Sequence, residues 1–361
     1  MIVREAIARA GVEGKEIEQV AFGHVINTEP QDMYLARVAS VKGGIPVETP
    51  ALTLNRLCGS GLQAIVCMAQ TILLGDTDAA LGGGAEVMSR SPYSVPAMRW
   101  GARMNDAKIV DMMVGALSDP FDGSHMGITA ENVAEKWGVS REDQDALAVV
   151  SHHRAAAAVA AGNFKSQIVP VEIKVKGGTQ LFDTDENVRA DASLEKMAKL
   201  RPVFKKDGSV TPGNASSIND AAAAVVLMER GVAESRGYKP LARLVGYSVV
   251  GVEPKYMGIG PVPAVKQVLE RTGIAMDAID LWEVNEAFAA QALAVCRDLN
   301  LPEAKTNPNG SGISLGHPIG ATGAILVVKA VHELQRTGGR YAMVTMCIGG
   351  GQGIAAIFER M

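Results

Sequence analysis

Between Asn309 and Gly353 the chain reads N-G-S-G-I-S-L-G-H-P-I-G-A-T-G, then an apolar run, then Y-A-M-V-T-M-C-I-G-G-G-Q-G. Glycine at this density beside two reactive side chains, His317 and Cys347, restricts what the segment can become. A ligand is expected to come within touching distance of the backbone, an approach that a residue without a Cβ permits. The pattern sets His317 at the glycine-rich entry to a helix and Cys347 at the glycine-rich exit of a strand. A reactive site is expected there.

A chain of 361 residues, 47% of them hydrophobic, can bury two cores and carry an inserted lobe. The net charge of -4 is spread with both signs interspersed. There is no basic footprint for nucleic acid and no polybasic anchor for a membrane surface. No apolar run approaches the ~20 residues of a membrane span, and the start, Met1-Ile-Val-Arg, lacks the apolar core of a secretory signal. Cys58, Cys67, Cys296 and Cys347 lie far apart without a C-x-x-C, which argues against a zinc site and against a disulfide framework. No metal is expected, and the expected compartment is a reducing cytoplasm.

Helical spacing of Ile2, Val3, Ala6, Ile7 and Ala10, stopped by Gly11, predicts that a helix opens the chain. A short buried strand follows from Val20, a helix from Met33 to Val41, and a strand from Pro50 that reaches an elbow at Cys58. Gly59-Ser60-Gly61 opens a helix to Leu74, and the strand from Asp78 runs into Gly82-Gly83-Gly84. The tail repeats this order: a glycine turn Gly320–Gly323, a helix from Ala324 to Leu334, a stop at Gly338-Gly339, and a strand from Tyr341 into Gly349-Gly350-Gly351. The repeat predicts a duplicated α/β unit packed against its copy. From Ser89 to Ile218 the texture changes, with helices over Thr129–Trp137 and Arg141–Ala161 and no regular βα alternation, as in an inserted lobe. Asn219 to Met228 returns as a strand of the first half. Leu241 begins the second, with a helix from Val262 to Arg271 and a strand from Ile279 that breaks at Asn285.

A cysteine at a helix N-terminus and near a histidine is expected to have a lowered pKa. Cys58 meets the first condition by sequence, and His317 can supply the second. Gly59 and Gly61 are expected to free two backbone N–H groups to hold an oxyanion. Cys67 and Cys296, inside helices, read as small buried residues. A lone histidine is commonly structural, but His317, between a glycine and Pro318 at a helix start, is expected to be a neutral imidazole with a lowered pKa. Cys347 repeats the logic of Cys58 at a strand end. Two cysteines and a histidine without metal spacing suit covalent acyl transfer with a separate proton shuttle.

N-R-L-C-G-S-G around Cys58, N-E-A-F-A from Asn285, G-H-P-I-G-A-T-G from Gly316 and C-I-G-G-G-Q-G from Cys347 together resemble the thiolases, over the whole chain and in the right order. His24-Val-Ile-Asn-Thr-Glu-Pro-Gln-Asp-Met-Tyr and the stretch around Asp111-Met112-Met113 look most like bacterial biosynthetic β-ketothiolases that supply polyhydroxyalkanoate precursors. The resemblance implies an α/β fold of layers α-β-α-β-α, built from two duplicated halves with an inserted loop domain. Residues 1–88 with 219–238 would form the N-terminal half, 89–218 the CoA-binding loop domain and 239–361 the C-terminal half.

It further implies reversible Claisen condensation and thiolytic cleavage of 3-ketoacyl-CoA through an acyl-Cys58 intermediate. His317 would accept the Cys58 proton and help stabilise an enolate. Asn285 would hold a water in one oxyanion hole, the N–H groups of Cys58 and Gly349 would form another, and Cys347 would move the α-proton. Ser216, His125 and Met126 match positions near the pantetheine, Arg189 a contact to the nucleotide end, and Phe204, Met257 and Phe288 apolar walls. CoA thioesters would be substrates, with no cofactor, and the family's members are dimers or tetramers. Such thiolases begin with a strand before the first helix, whereas this chain starts inside that helix, so the first half is expected to lack a central strand. A degradative thiolase of fatty-acid β-oxidation is the alternative. A decarboxylating ketoacyl synthase is disfavoured by Cys347, and a dinucleotide-binding oxidoreductase by the lack of an early G-x-G-x-x-G. A non-catalytic CoA or lipid carrier would fail to turn over acetoacetyl-CoA.

Overall fold

The computed structural model describes residues 1–361. Its strands are β1 (Gln19–Gly23), β2 (Ala51–Leu54), β3 (Ala79–Val87), β4 (Tyr93–Ser94), β5 (Val110–Asp111), β6 (Val171–Val175), β7 (Gly178–Phe182), β8 (Asp220–Met228), β9 (Ala242–Gly251), β10 (Leu281–Val284), β11 (Tyr341–Ile348) and β12 (Gln352–Arg360). One large sheet has the order β2-β1-β3-β8 and the other β10-β11-β12-β9; β4-β5 and β6-β7 are small pairs inside residues 89–218. β1 runs parallel to β2 and β3, and β8 antiparallel to β3. In the second sheet β10 is parallel to β11, while β12 is antiparallel to both β11 and β9.

Strands such as β11 are apolar without alternation because both of their faces are covered. Val344, Met346 and Ile348 point into a cluster with Leu62, Ile65, Leu326 and Leu334 from two central helices. Met343, on the opposite face, meets Val265, Leu269 and Trp282 under the outer helix Pro261–Thr272. On the far side, Val3 and Ile7 of the helix Ile2–Ala10 cover Val20, Phe22 and Leu81. The layers are therefore helix, sheet, helix pair, sheet, helix, as the motifs imply. Each fully buried aliphatic side chain here contributes about 1.5–3 kcal/mol of transfer free energy.

The central layer holds the helices Ser60–Leu73 and Ile319–Thr337 in direct contact. Glycine makes this possible. A Cβ on Gly61 would meet the Ala324 nitrogen at 2.7 Å, and one on Gly323 would fall on the Leu62 backbone nitrogen. Gly84 of β3 lies equally close to the Gly320 carbonyl.

Three expectations need correction. Gly320–Gly323 is not a turn before a helix that starts at Ala324; the helix begins at Ile319, and both glycines lie inside it. Close packing against Leu62 offsets the ~1 kcal/mol propensity deficit of a helical glycine. The two glycine triplets are also not equivalent: Gly82–Gly84 lie within β3, whereas Gly350 and Gly351, with φ of 78° and 85°, turn β11 into β12. The duplication rests on the order of helices and strands rather than on the triplets.

The third concerns the expected gap in the first sheet. β1, β3 and β8 are contiguous, and the difference between the sheets is at an edge, where β12 carries β9 and its counterpart β8 carries no strand. A cleft of about 2000 Å³ runs beside β8 and β9 and along the helix Ile319–Thr337, and Ala223 to Met228 are only half-buried despite their apolar character.

Gly323→Ala tests the helix contact. In an open helix this change is favourable by about 1 kcal/mol; here the added methyl strikes Leu62, so chemical denaturation should show a loss of about 1–3 kcal/mol. A gain in stability would mean that the two helices are not held this closely.

Candidate active site

The nucleophile elbow begins with backbone strain. Leu57 has a φ of 46°, in the left-handed region that a leucine rarely enters, at a cost of about 1–3 kcal/mol. Ser60 holds the turn: its Oγ accepts from the Arg56 N–H at 2.8 Å and donates to the Leu57 carbonyl at 2.7 Å. Cys58 is thereby presented at the head of the helix Ser60–Leu73, where the backbone N–H groups of Gly349 and of Cys58 itself lie near its sulfur and favour the anion.

The Gly59 N–H, expected to help hold an oxyanion, donates instead to the Arg56 carbonyl at 3.1 Å. A Cβ on Gly59 would meet Ile348 Cδ1 at 2.6 Å, and Gly61 lies against the partner helix. Both glycines serve close packing.

His317 is buried two residues before the helix Ile319–Thr337, the same offset that Cys58 has from its own helix. Asn219 at the entry to β8 accepts the His317 backbone N–H at 2.9 Å, and the His317 Nδ1 lies 2.7 Å from the Thr322 hydroxyl. Burial pushes the imidazole pKa down to about 4, so the ring is neutral, as expected. Glu86, buried at the end of β3, accepts the Gly320 N–H at 2.9 Å and steadies the same helix entry.

Asn285 ends β10 and is clamped from behind. Asn307 accepts the Val284 N–H at 2.9 Å and donates to the Val284 carbonyl and to Glu286, while Ser311 donates to that carbonyl at 3.0 Å. The Asn285 Nδ2 lies 3.4 and 3.5 Å from the two His317 ring nitrogens. Its Oδ1 is buried with no protein partner, an acceptor suited to a bound water.

Cys347 is fully buried near the end of β11, on the face opposite Met346 and Ile348. Burial raises its thiol pKa, and the neighbouring Cys58 sulfur raises it further. Cys58 itself is pushed up to about 11, chiefly by burial, against the expectation of a lowered value. Desolvation outweighs the two N–H donors, and a neutral His317 supplies no positive charge to counter it. At rest the pair is a thiol and a neutral imidazole.

Cys58, His317 and Cys347 line one cavity of about 100 Å³. Ser216, His125, Met126, Phe204, Met257, Phe288 and Gly349 line it too. His125 caps the helix Met126–Trp137, which starts earlier than Thr129; its Nδ1 accepts the Gly127 N–H at 3.1 Å, and its ring stacks on Phe204 at 4.6 Å. The Ser216 N–H donates to the Ala287 carbonyl at 3.0 Å, which ties the inserted lobe to N-E-A-F-A. Arg189 is exposed and does not line this cavity. Met88, Leu117 and Ile319 line it and were not singled out from sequence. As isolated apolar residues they carried no signal. Thr322 is one residue of G-A-T-G, and nothing local sets it apart.

The Cys58 thiol defines a pH test. With a pKa of about 11, its thiolate fraction, and so its alkylation rate by iodoacetamide, should rise about tenfold per pH unit from 7 to 10. The rate is read from the Cys58 peptide by mass spectrometry. A plateau below pH 8 would refute the raised pKa.

The N-terminal thiolase domain model matches residues 1–231, and the C-terminal thiolase domain model matches residues 238–360. The chain is 67% identical to beta-ketothiolase BktB of Cupriavidus necator, over 100% of this chain and 92% of that protein. It is 49% identical to an acetyl-CoA acetyltransferase of Chromobacterium violaceum, over 99% of this chain and 92% of that one. Human mitochondrial 3-ketoacyl-CoA thiolase, solved in complex with CoA, superposes with a TM-score of 0.97 at 44% identity, over 100% of this chain and 90% of that chain. The chain belongs to the thiolase family.

Proposed function

We propose that this protein is an acyl-CoA:acetyl-CoA C-acyltransferase, a β-ketothiolase that joins or cleaves 3-ketoacyl-CoA by ping-pong transfer through acyl-Cys58. The observation that carries this reading is the meeting of two thiols and one neutral imidazole in a single apolar cavity. The 67% identity to beta-ketothiolase BktB supports the biosynthetic assignment over the degradative one.

In the first half-reaction the Cys58 thiol gives its proton to His317 as the sulfur attacks the thioester carbonyl. A raised thiol pKa and a lowered imidazole pKa make a standing ion pair costly, so proton transfer accompanies attack. The Cys58 and Gly349 N–H groups take the carbonyl oxygen as it gains charge. A donor of this kind is worth about 3 kcal/mol. The leaving CoA sulfur takes the Cys347 proton, and the acyl group remains on Cys58.

In the second half-reaction the Cys347 thiolate removes the α-proton of acetyl-CoA, and the enolate oxygen is met by His317, still carrying its proton, and by a water on Asn285. The enolate carbon attacks acyl-Cys58, and the released Cys58 sulfur recovers its proton from His317. Every proton is returned. CoA thioesters are substrates, and the side chains named provide all the acid–base and nucleophilic chemistry. His125, Met126, Phe204, Met257 and Phe288 exclude water around the pantetheine, Ser216 lies along it, and exposed Arg189 meets the nucleotide end outside the cavity.

Brief exposure to an acyl-CoA followed by mass spectrometry should place one acyl group on Cys58; a label on Cys67 or Cys296, or none, refutes the mechanism. Cys347→Ser should still form acyl-Cys58 while condensation falls by at least about 100-fold. Condensation at the wild-type rate would remove Cys347 from its role.

A further inference from the structure

We propose that Thr322 is a positioning residue that fixes the tautomer of His317, holding the proton on Nδ1 so that Nε2 keeps the lone pair that accepts from Cys58. This rests on His317 acting as the base in the function proposed above.

The Thr322 hydroxyl has two neighbours: the His317 Nδ1 at 2.7 Å and the Pro318 carbonyl at 2.9 Å. A hydroxyl has one hydrogen. A carbonyl oxygen can only accept, so the hydrogen goes to Pro318, one helical turn back, in the manner usual for threonine in a helix. The hydroxyl oxygen then accepts, and the only group that can donate to it from the ring is an Nδ1–H. Neutral imidazole carries a single N–H, which leaves Nε2 bare. The opposite arrangement, with Thr322 donating to Nδ1, would protonate Nε2 and abolish the base.

No other protein group makes this choice. Asn285 Nδ2 is almost equidistant from both ring nitrogens, at 3.4 and 3.5 Å, and so selects neither. Asn219 holds the His317 backbone rather than its ring. Thr322 and His317 are 2% and 5% exposed, so water does not readily replace the hydroxyl. The hydroxyl is itself pinned, since Thr322 lies in the first turns of the helix that packs on Gly61 and Leu62.

The test compares Thr322→Val, which keeps the shape and loses the acceptor, with Thr322→Ser, which keeps the acceptor. In protein carrying ¹⁵N-labelled histidine, the His317 signals are identified by their loss in His317→Asn. Wild type and Thr322→Ser should show a protonated Nδ1 and a bare Nε2, and Thr322→Val a shift away from that pattern. Rapid-mixing acylation by an acyl-CoA should slow at least tenfold in Thr322→Val, with KM little changed, and recover in Thr322→Ser. A wild-type ring with its proton on Nε2, a Thr322→Val enzyme that acylates at the wild-type rate, or a Thr322→Ser enzyme as slow as the valine variant would each overturn the proposal. Failure of the wild-type protein to form acyl-Cys58 at all would instead sink the functional reading, while the ¹⁵N spectra would still report the tautomer.

Discussion

Close contact between the helices Ser60–Leu73 and Ile319–Thr337 is the constraint on which the rest of the structure depends. Each helix starts two residues after a reactive side chain, Cys58 in one case and His317 in the other. When the helices touch near their N-terminal ends, the nucleophile and its base arrive at one cavity. Gly61, Gly84, Gly320 and Gly323 permit this approach, because a Cβ at any of them would meet backbone or a buried side chain. The glycine density that marks the sequence is thus mainly a packing device, and the site is its consequence. Gly349 has a second effect, since its N–H near the Cys58 sulfur favours the anion against the desolvation that raises its pKa.

Charge is handled in the same economical way. The cavity has no charged side chain on its wall. Burial keeps the thiols protonated and the imidazole neutral, so the resting site avoids the desolvation cost of a standing ion pair. Ionisation then coincides with a substrate carbonyl ready to receive it. The carboxyl groups nearby lie one layer back: Glu86 on the Gly320 N–H, and Glu286 between Ser151 and Asn307 behind Asn285. Their work is to hold backbone and side chains in place around a neutral cavity.

Much of the fold was legible because local chemistry and tertiary role coincide. Gly11, Gly138, Gly162 and Gly338 end helices in left-handed caps, as glycine after a helical run predicts. Cys58, His317, Cys347 and Asn285 were recognisable from their motifs. Less legible were features whose cause is distant in sequence. The glycines at 320 and 323 look like a turn until Glu86 and His24 are known to lie against the first and Leu62 against the second. A gap at the centre of the first sheet is expected from chain order, whereas β2, β1, β3 and β8 pair in one continuous run. Met88 and Ile319 are ordinary apolar residues until the fold sets them around Cys58.

By itself, then, the amino-acid order determined the elements, the family and the reactive atoms, because these depend on residue type, spacing and short-range geometry. Tertiary structure alone decided the direction of the Cys58 pKa shift, since a helix start argues for a lowered value and desolvation, which no local pattern reports, raises it. It also decided which backbone N–H groups face the sulfur and which partner the His317 Nδ1 meets. These are distances and burials set by the meeting of two remote helices, and no stretch of sequence contains them.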